Sequence, residues 1–393
     1  MARRHCSPRI GVAAALNTSS TPLRVALDLR IFGRRGIGRY NEALYQGLAA
    51  RPDRVALYAF GGNTSPAGEA VRLRTPGYVA QEQIELPLRL ARGGFDVAHF
   101  TANTAPLVQF HSPPTVVTVH DIMYLSSPRT LPISPSLRQT LGRVYRFAAF
   151  HSGTRRCDHL ITVSQHTADA LTRRFGTSLP PITVVHSGVD PSFSAAPPHG
   201  RGAESLAQLG LRPSDYFLHP GALDPRKNTS TVIEAFARYR ALGGTAALAV
   251  MGLSSWASAA IKRGLGSAAA FAHLLPFVSN ETVVDLVKGA RGVVFVPSEE
   301  GFGYPLVEAM AAGTPAIVSS IDVLRELSQG AASEVPARSS EPLARAMLAL
   351  EHGDPQFETL RLRGLERARH FTIAAMAEGT IAAYDRASKA RSG

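Results

Sequence analysis

The chain has 393 residues, 45% of them hydrophobic, with 42 Lys and Arg, 30 Asp and Glu and only two cysteines. That length exceeds one compact domain and suits two of ordinary size, and the composition excludes wholesale disorder. Cys6 and Cys157 give neither a disulfide framework nor a metal-ligand spacing, which fits a reducing compartment, and no apolar run is long enough to cross a bilayer as a helix. The charge is uneven: residues 1–200 hold 22 Arg and no Lys against 11 acidic residues, whereas residues 201–393 are nearly neutral. A basic half points to an anionic partner. No nucleic-acid motif accompanies the arginines, so anionic lipid head groups are the expected partner, with arginine usage set by base composition as the alternative.

Residues 1–22 read as a disordered tail, whose apolar run from Gly11 to Leu16 is too short for a signal peptide. Strand-like segments follow at 23–28, 55–60, 96–100, 115–120, 160–163 and 182–185. Helical patterns fall at 40–50, 137–154 and 165–175. Residues 190–213 break the pattern with Ala-Ala-Pro-Pro-His-Gly and read as a linker. A second series has strands at 216–218, 246–251, 274–277, 293–296 and 316–318. Its helices are expected at 229–242, 255–264, 280–289, 342–351, 355–370 and 373–388. Strands alternating with helices predict an α/β protein of two Rossmann-like domains facing a cleft, one over 23–195 and one over 214–370, followed by a terminal segment, 371–393.

The most informative stretch is 298–313, Ser-Glu-Glu-Gly-Phe-Gly-Tyr-Pro-Leu-Val-Glu-Ala-Met-Ala-Ala-Gly. Pro305 suits the first helical turn and Gly313 the helix stop. Glu300 then sits in the loop and Glu308 about one turn into the helix, at the end of a parallel sheet where such folds bind ligands. Two carboxylates there suit the paired hydroxyls of a sugar or ribose. A second stretch, Pro220-Gly221-Ala222-Leu223-Asp224-Pro225-Arg226-Lys227-Asn228, follows a strand and opens a helix. Free N–H groups plus two cations suit a diphosphate. Gly36-Ile37-Gly38-Arg39-Tyr40 forms a glycine turn after the first strand, and His120-Asp121 ends the strand over 115–120. There is no Asp-x-Asp, P-loop, zinc signature or Gly-x-Ser-x-Gly elbow.

Together these segments resemble the retaining glycosyltransferases of family 4, which have the GT-B fold, over nearly all of residues 23–388. The resemblance implies that Glu308 binds the donor ribose and Glu300 the donor sugar, with the backbone of Phe302, Gly303 and Tyr304 along that sugar. Arg226 and Lys227 would hold the donor diphosphate without a metal, and the loop of Gly36 and Gly38 would close over it. His120 would lie near the donor sugar, with Asp121, His99 and Asn103 on the acceptor side. Ser164, Thr167 and residues 186–190 would act as caps and hinge geometry, and Phe277, Val278 and Ser279 would border the nucleotide base. The last helix would cross back onto the N-terminal domain. The chain departs from the family pattern at Ala222, where many members have arginine, and at Ser255 in the segment of Gly252 and Trp256.

The implied activity is transfer from a nucleotide-diphosphate sugar, GDP-mannose by closest resemblance, to a glycan or lipid-linked acceptor in surface polysaccharide synthesis. No cofactor beyond that donor is implied. The expected location is cytoplasmic, peripheral on the inner membrane face. A soluble acceptor is the alternative within the same fold. A basic nucleic-acid-binding protein is the remote one, and it lacks the interleaved aromatics that stacking needs.

Overall fold

The computed structural model describes residues 21–33, 36–61, 70–108, 113–125, 137–194, 201–221 and 224–392. The expected tail lies outside the described residues up to Ser20, as do Ala222 and Leu223.

Two parallel sheets organise the chain. The first contains β1 (Leu23–Leu29), β2 (Val55–Gly61), β3 (Ala70–Arg72), β4 (Val97–Phe100), β5 (Thr115–Val119), β6 (His159–Thr162) and β7 (Ile182–Val184). Their order is β3-β2-β1-β4-β5-β6-β7. Its helices are α1 (Ile37–Ala49), α2 (Tyr78–Ala80), α3 (Leu86–Gly93), α4 (Leu137–Ser152) and α5 (Gln165–Phe175). The second sheet contains β8 (Tyr216–Pro220), β9 (Ala247–Met251), β10 (Ala272–Leu275), β11 (Gly292–Phe295), β12 (Ala316–Ser319) and β13 (Ser333–Val335). Their order is β10-β9-β8-β11-β12-β13. Around it lie α6 (Arg201–Gln208), α7 (Thr229–Ala241), α8 (Ser255–Leu265), α9 (Asn280–Gly289) and α10 (Tyr304–Ala312). They are followed by α11 (Asp322–Ser328), α12 (Ser340–Glu351), α13 (Pro355–Ala368) and α14 (Ile373–Ser392).

Both sheets reverse direction of growth once, between β1 and β4 and between β8 and β11. Loops leaving neighbouring strands part there, and a crevice opens at the carboxyl ends. Central strands are covered on both faces, so Val116, Val117, Val293, Val294, Ile317 and Val318 are all buried. One apolar cluster runs from Val25 and Leu27 of β1 through Phe193, Phe302 and Phe371 to Tyr384 of α14. It joins the two domains and the last helix. That helix crosses back onto α1, where a Cβ on Gly47 would stand 2.9 Å from the Ile373 carbonyl.

The sequence reading leaves out several elements. The stretch read as a linker contains α6, whose buried Leu206 packs on Gly289 of α9. Its Ala/Leu pattern is short and follows a Pro-rich run, so composition hides it. Helices over 78–93, with a π-helical turn at Gln81–Glu85, were not expected either. That turn is pinned to β1 by a buried ion network. Arg30 contacts Asp28 at 2.7 Å and Glu82 at 2.5 Å, and Glu82 also accepts a hydrogen bond from Tyr145 of α4. Strands β3 and β13 have three residues each and no clear signal, whereas the equally short β7 lies in the β-branched run Ile182-Thr183-Val184-Val185.

Candidate functional site

The loops after β8 and β11 are stitched together before they meet any ligand. Asp224 caps the turn Pro225–Lys227 by accepting from the Arg226 N–H at 3.0 Å. Asn228 takes a left-handed backbone, and its amide donates to the Val296 carbonyl at 2.8 Å. The Ser298 N–H donates to the Arg226 carbonyl at 2.7 Å. Beneath them buried His219 bridges the Val294 carbonyl and the Thr229 hydroxyl, and burial lowers its pKa to about 4. Helix α10 then starts at Gly303, at φ 130°, with Pro305 in its first turn, and stops at left-handed Gly313.

Charged groups in the crevice are paired with one another. Lys227 Nζ is ion-paired with Glu300 and lies 5.2 Å from the Phe295 ring centroid. Arg226 is ion-paired with Asp224, donating through Nε at 3.0 Å, and its Nη1 lies 2.6 Å from Met123 Sδ. Hydrogen bonding to Asp224 raises the Arg226 pKa. Glu308 is 2% exposed and ion-paired with Arg39 of α1, which also lies 5.0 Å from the Tyr304 ring centroid. Only Glu308 is fully buried among these ions, and leaving such an ion without its partner costs about 3–5 kcal/mol, so the Arg39–Glu308 pair is the strongest local constraint.

The N-terminal domain supplies His120 and Asp121 at the end of β5. His120 Nε2 lies 2.7 Å from the Thr101 carbonyl, which accepts only from a protonated nitrogen. The tautomer is thereby fixed, and Nδ1 is left as an acceptor. Burial lowers the His120 pKa to about 4, so the ring is neutral at pH 7. Tyr40 packs edge-on against it at 4.6 Å and bonds Thr118 at 2.9 Å. Burial raises the Asp121 pKa, against hydrogen bonding from the Met123 N–H and the charge of Arg226.

The halves meet through short contacts. Ser164, which caps α5, donates to the Gly301 carbonyl at 2.7 Å. Glu326 of α11 accepts from the Gln165 and His166 N–H groups at 2.7 and 2.8 Å, and lies 3.0 Å from His186 Nε2. At Gly301 a Cβ would stand 2.0 Å from the His120 carbonyl oxygen. The loop of Glu300 therefore lies directly against His120.

Two family models match in tandem: Glycosyltransferase Family 4 over residues 34–193 and Glycosyl transferases group 1 over residues 204–367. The chain is a group 1 glycosyltransferase. The O-antigen chain mannosyltransferase RfbU of Salmonella typhimurium is 26% identical over 64% of this transferase and 63% of its own length. The O-antigen chain mannosyltransferase B of Escherichia coli is 25% identical over 68% and 69%. The match to RfbU thus spans just under two thirds of that relative. Solved structures establish the GT-B fold. WaaG, a glycosyltransferase involved in lipopolysaccharide biosynthesis, superposes with a TM-score of 0.70 at 18% identity, covering 91% of this chain and 98% of WaaG. HepE of Anabaena in complex with UDP-glucose gives 0.69 at 19%, covering 92% and 98%.

In this transferase Glu300 pairs with Lys227, Asp121 feels the charges of Arg226 and Glu300, and the 301 loop touches His120, so these five residues come together, while Glu308 lies buried against Arg39. Gly36 begins α1 at φ 62°, and Gly38 is buried. Phe302 is 6% exposed and packs on Tyr304, His186 and Phe371, so its ring belongs to the domain junction. Two acceptor-side expectations need correction. His99 is 1% exposed, and its ring nitrogens lie 2.8 Å from the Tyr384 and Thr118 hydroxyls. It anchors α14 and presents nothing to a ligand. Asn103 is 5% exposed, and its Oδ1 accepts from the His120 N–H at 2.6 Å, so it buttresses His120. Arg39 and Tyr40 were missed as individual site residues, although the glycine-loop motif contains both.

Proposed function

We propose that this glycosyltransferase moves a hexosyl group, mannosyl from GDP-mannose first, to a glycan or lipid-linked acceptor without a metal and with retention at the anomeric carbon. The observation that carries it is the single crevice holding a sugar-side carboxylate, a phosphate-side pair of cations and a neutral histidine. Glu308 takes the ribose hydroxyls, Glu300 the sugar hydroxyls, and His120 Nδ1 accepts from a further sugar hydroxyl. Arg226 and Lys227 turn from Asp224 and Glu300 to the diphosphate and stabilise its growing charge. The bond from the anomeric carbon to the diphosphate breaks. The acceptor oxygen bonds that carbon on the same face, and its proton passes to the departing phosphate oxygen. The mannosyl donor is favoured by the mannosyltransferase relatives.

A panel of nucleotide sugars in a thermal-shift assay, with and without excess chelator, tests this. A ligand at 100 times its Kd stabilises by about 2.7 kcal/mol, which for a protein of this size means a rise of roughly 3 °C. GDP-mannose is expected to give that rise and chelator to leave it intact. A response only to UDP-sugars overturns the donor, loss of the response with chelator overturns metal independence, and silence across the panel overturns the reading.

A lipid-linked acceptor and a cytoplasmic, peripheral membrane location are supported by one surface. Helix α4 has Arg138, Arg143 and Arg146 and no acidic residue. It exposes Leu141 by 60%, Val144 by 62% and Phe147 by 45%. Tyr145 ties it to Gln83 at 2.8 Å, next to exposed Ile84 and Leu88. An exposed apolar face on a helix whose sequence has three arginines and no acid suits an anionic bilayer surface. Among the described residues no helix is long and apolar enough to cross a membrane. The protein is expected to sediment with anionic vesicles and not neutral ones, and less as salt rises. Changing Leu141, Val144 and Phe147 together to Gln should weaken this by about tenfold or more, since burying one such side chain is worth about 1.5–3 kcal/mol. Binding unchanged in that variant would take α4 out of the docking face, and binding unaffected by salt would assign the arginines to composition. The second reading, a soluble acceptor, draws on the D-inositol 3-phosphate glycosyltransferase of Streptomyces avermitilis, 28% identical over 54% of this chain and 48% of its own.

A further inference from the structure

We propose that Arg39 is a positioning residue that holds Glu308 until the donor ribose takes it, moving then onto Asp190 and Glu42. The proposal rests on the reading of Glu308 as the ribose-binding carboxylate.

Glu308 is nearly fully buried, and its ion-pair partner comes from the other domain, 269 residues away in sequence. A ribose diol would take the same carboxylate that Arg39 holds, and at 2% exposure Glu308 leaves little room for both around its oxygens, so ribose and guanidinium compete for space. The guanidinium has somewhere to go. A cleft of about 300 Å³ opens beside it, lined by Arg39, Glu42, Asp190, Glu281, Asp285 and Tyr304 among others. Four of those six are acidic and Arg39 is the one cation. Glu42 lies three residues along α1, where helical side chains are neighbours. Asp190 lies in the hinge, and its Oδ1 accepts from the Ser192 N–H at 2.8 Å. Burial lowers the Arg39 pKa, and the carboxylates of Asp190 and Glu42 oppose that.

Arg39 therefore has two sets of anionic partners, one inside the crevice and one at its hinge side. Such two-position elements let ligand binding and domain arrangement bias one another. With Glu308 held by Arg39, α1 and α10 are tied across the crevice. With ribose on Glu308, the tie is remade through Asp190 at the hinge. The residue thus senses whether the ribose site is filled.

Asp190→Asn is the decisive variant, because asparagine keeps the acceptor oxygen for Ser192 and removes only the charge. GDP binding is measured by calorimetry on the unmodified protein, Asp190→Asn, Arg39→Ala and the double variant, each checked for an unchanged melting profile. Asp190→Asn is expected to weaken GDP about tenfold, within the usual range of coupling between sites. In the Arg39→Ala background the same change should alter affinity by less than about twofold, and Arg39→Ala alone should bind GDP at least as tightly as the unmodified protein. Equal losses from Asp190→Asn in both backgrounds would mean that it acts through the hinge and not through Arg39. A large loss in Arg39→Ala with none in Asp190→Asn would make Arg39 a direct diphosphate contact and overturn the exchange. Failure of GDP to bind the unmodified protein overturns the donor reading itself, which is a distinguishable result.

Discussion

Glu300→Gln is expected to cut turnover by about 100-fold or more while GDP affinity stays level or rises. Glu300 would lose a charge that meets the sugar, and removing one preorganised electrostatic contact at a reacting centre typically costs about 10²–10³ in rate. It is also the carboxylate on Lys227. Relieved of that partner, Lys227 is freer to meet the diphosphate. Glu308→Ala should behave in the opposite sense. It loses charge-assisted hydrogen bonds to ribose worth about 1–3 kcal/mol, a factor of roughly 5 to 150 in GDP affinity. Calorimetry with GDP beside initial-rate kinetics separates the two. Equal losses of affinity in both variants would end the division of labour between the carboxylates.

What the sequence shows of this site is local, and what it hides is the partner of each charge. The turn and cap chemistry of 298–313 reads directly, because a Gly-rich loop, Pro305 and Gly313 act within a few residues of themselves. The same holds for Ser164 at the start of α5. The pairs Arg39–Glu308 and Lys227–Glu300 join segments 269 and 73 residues apart. No spacing rule signals such a contact. His99 shows the other limit. A strand's carboxyl end points at the crevice, but β4 is buried on both faces, so its last residues are as able to meet α14 as a ligand. Asn103 lies just past that strand in a left-handed turn, at φ 67°, that aims its side chain back at the His120 backbone. The fold class was legible because alternation of strand and helix recurs over the whole chain. The three-residue β3 and β13, and α6 beside a Pro-rich run, fall below that signal.

Gly301→Ala should cut turnover by about 100-fold or more with little effect on GDP affinity. The reason is geometric. A Cβ at 301 would stand 2.0 Å from the His120 carbonyl oxygen, 2.9 Å from its carbon and 3.0 Å from Asp121 Cβ. The nearest of these atoms are backbone, with His120 held by Asn103 and Gly301 itself by Ser164, so no rotamer change relieves the clash. Either the domains part or the 300–303 loop shifts. Both move Glu300 away from His120, and a misplacement of about 1 Å costs roughly 10² in rate. The diphosphate cations lie on the turn after β8, which the methyl group does not touch, so GDP should still bind within about threefold, roughly half a tenfold step. Gly142→Ala is the matched control. It lies in α4, and a Cβ there would meet only the tip of Arg146 at 3.9 Å, so that variant should stay active. Small-angle scattering of the Gly301→Ala protein should show a larger radius of gyration if the domains part. Full activity in Gly301→Ala would mean that turnover does not pass through the close approach of the 300–303 loop to His120.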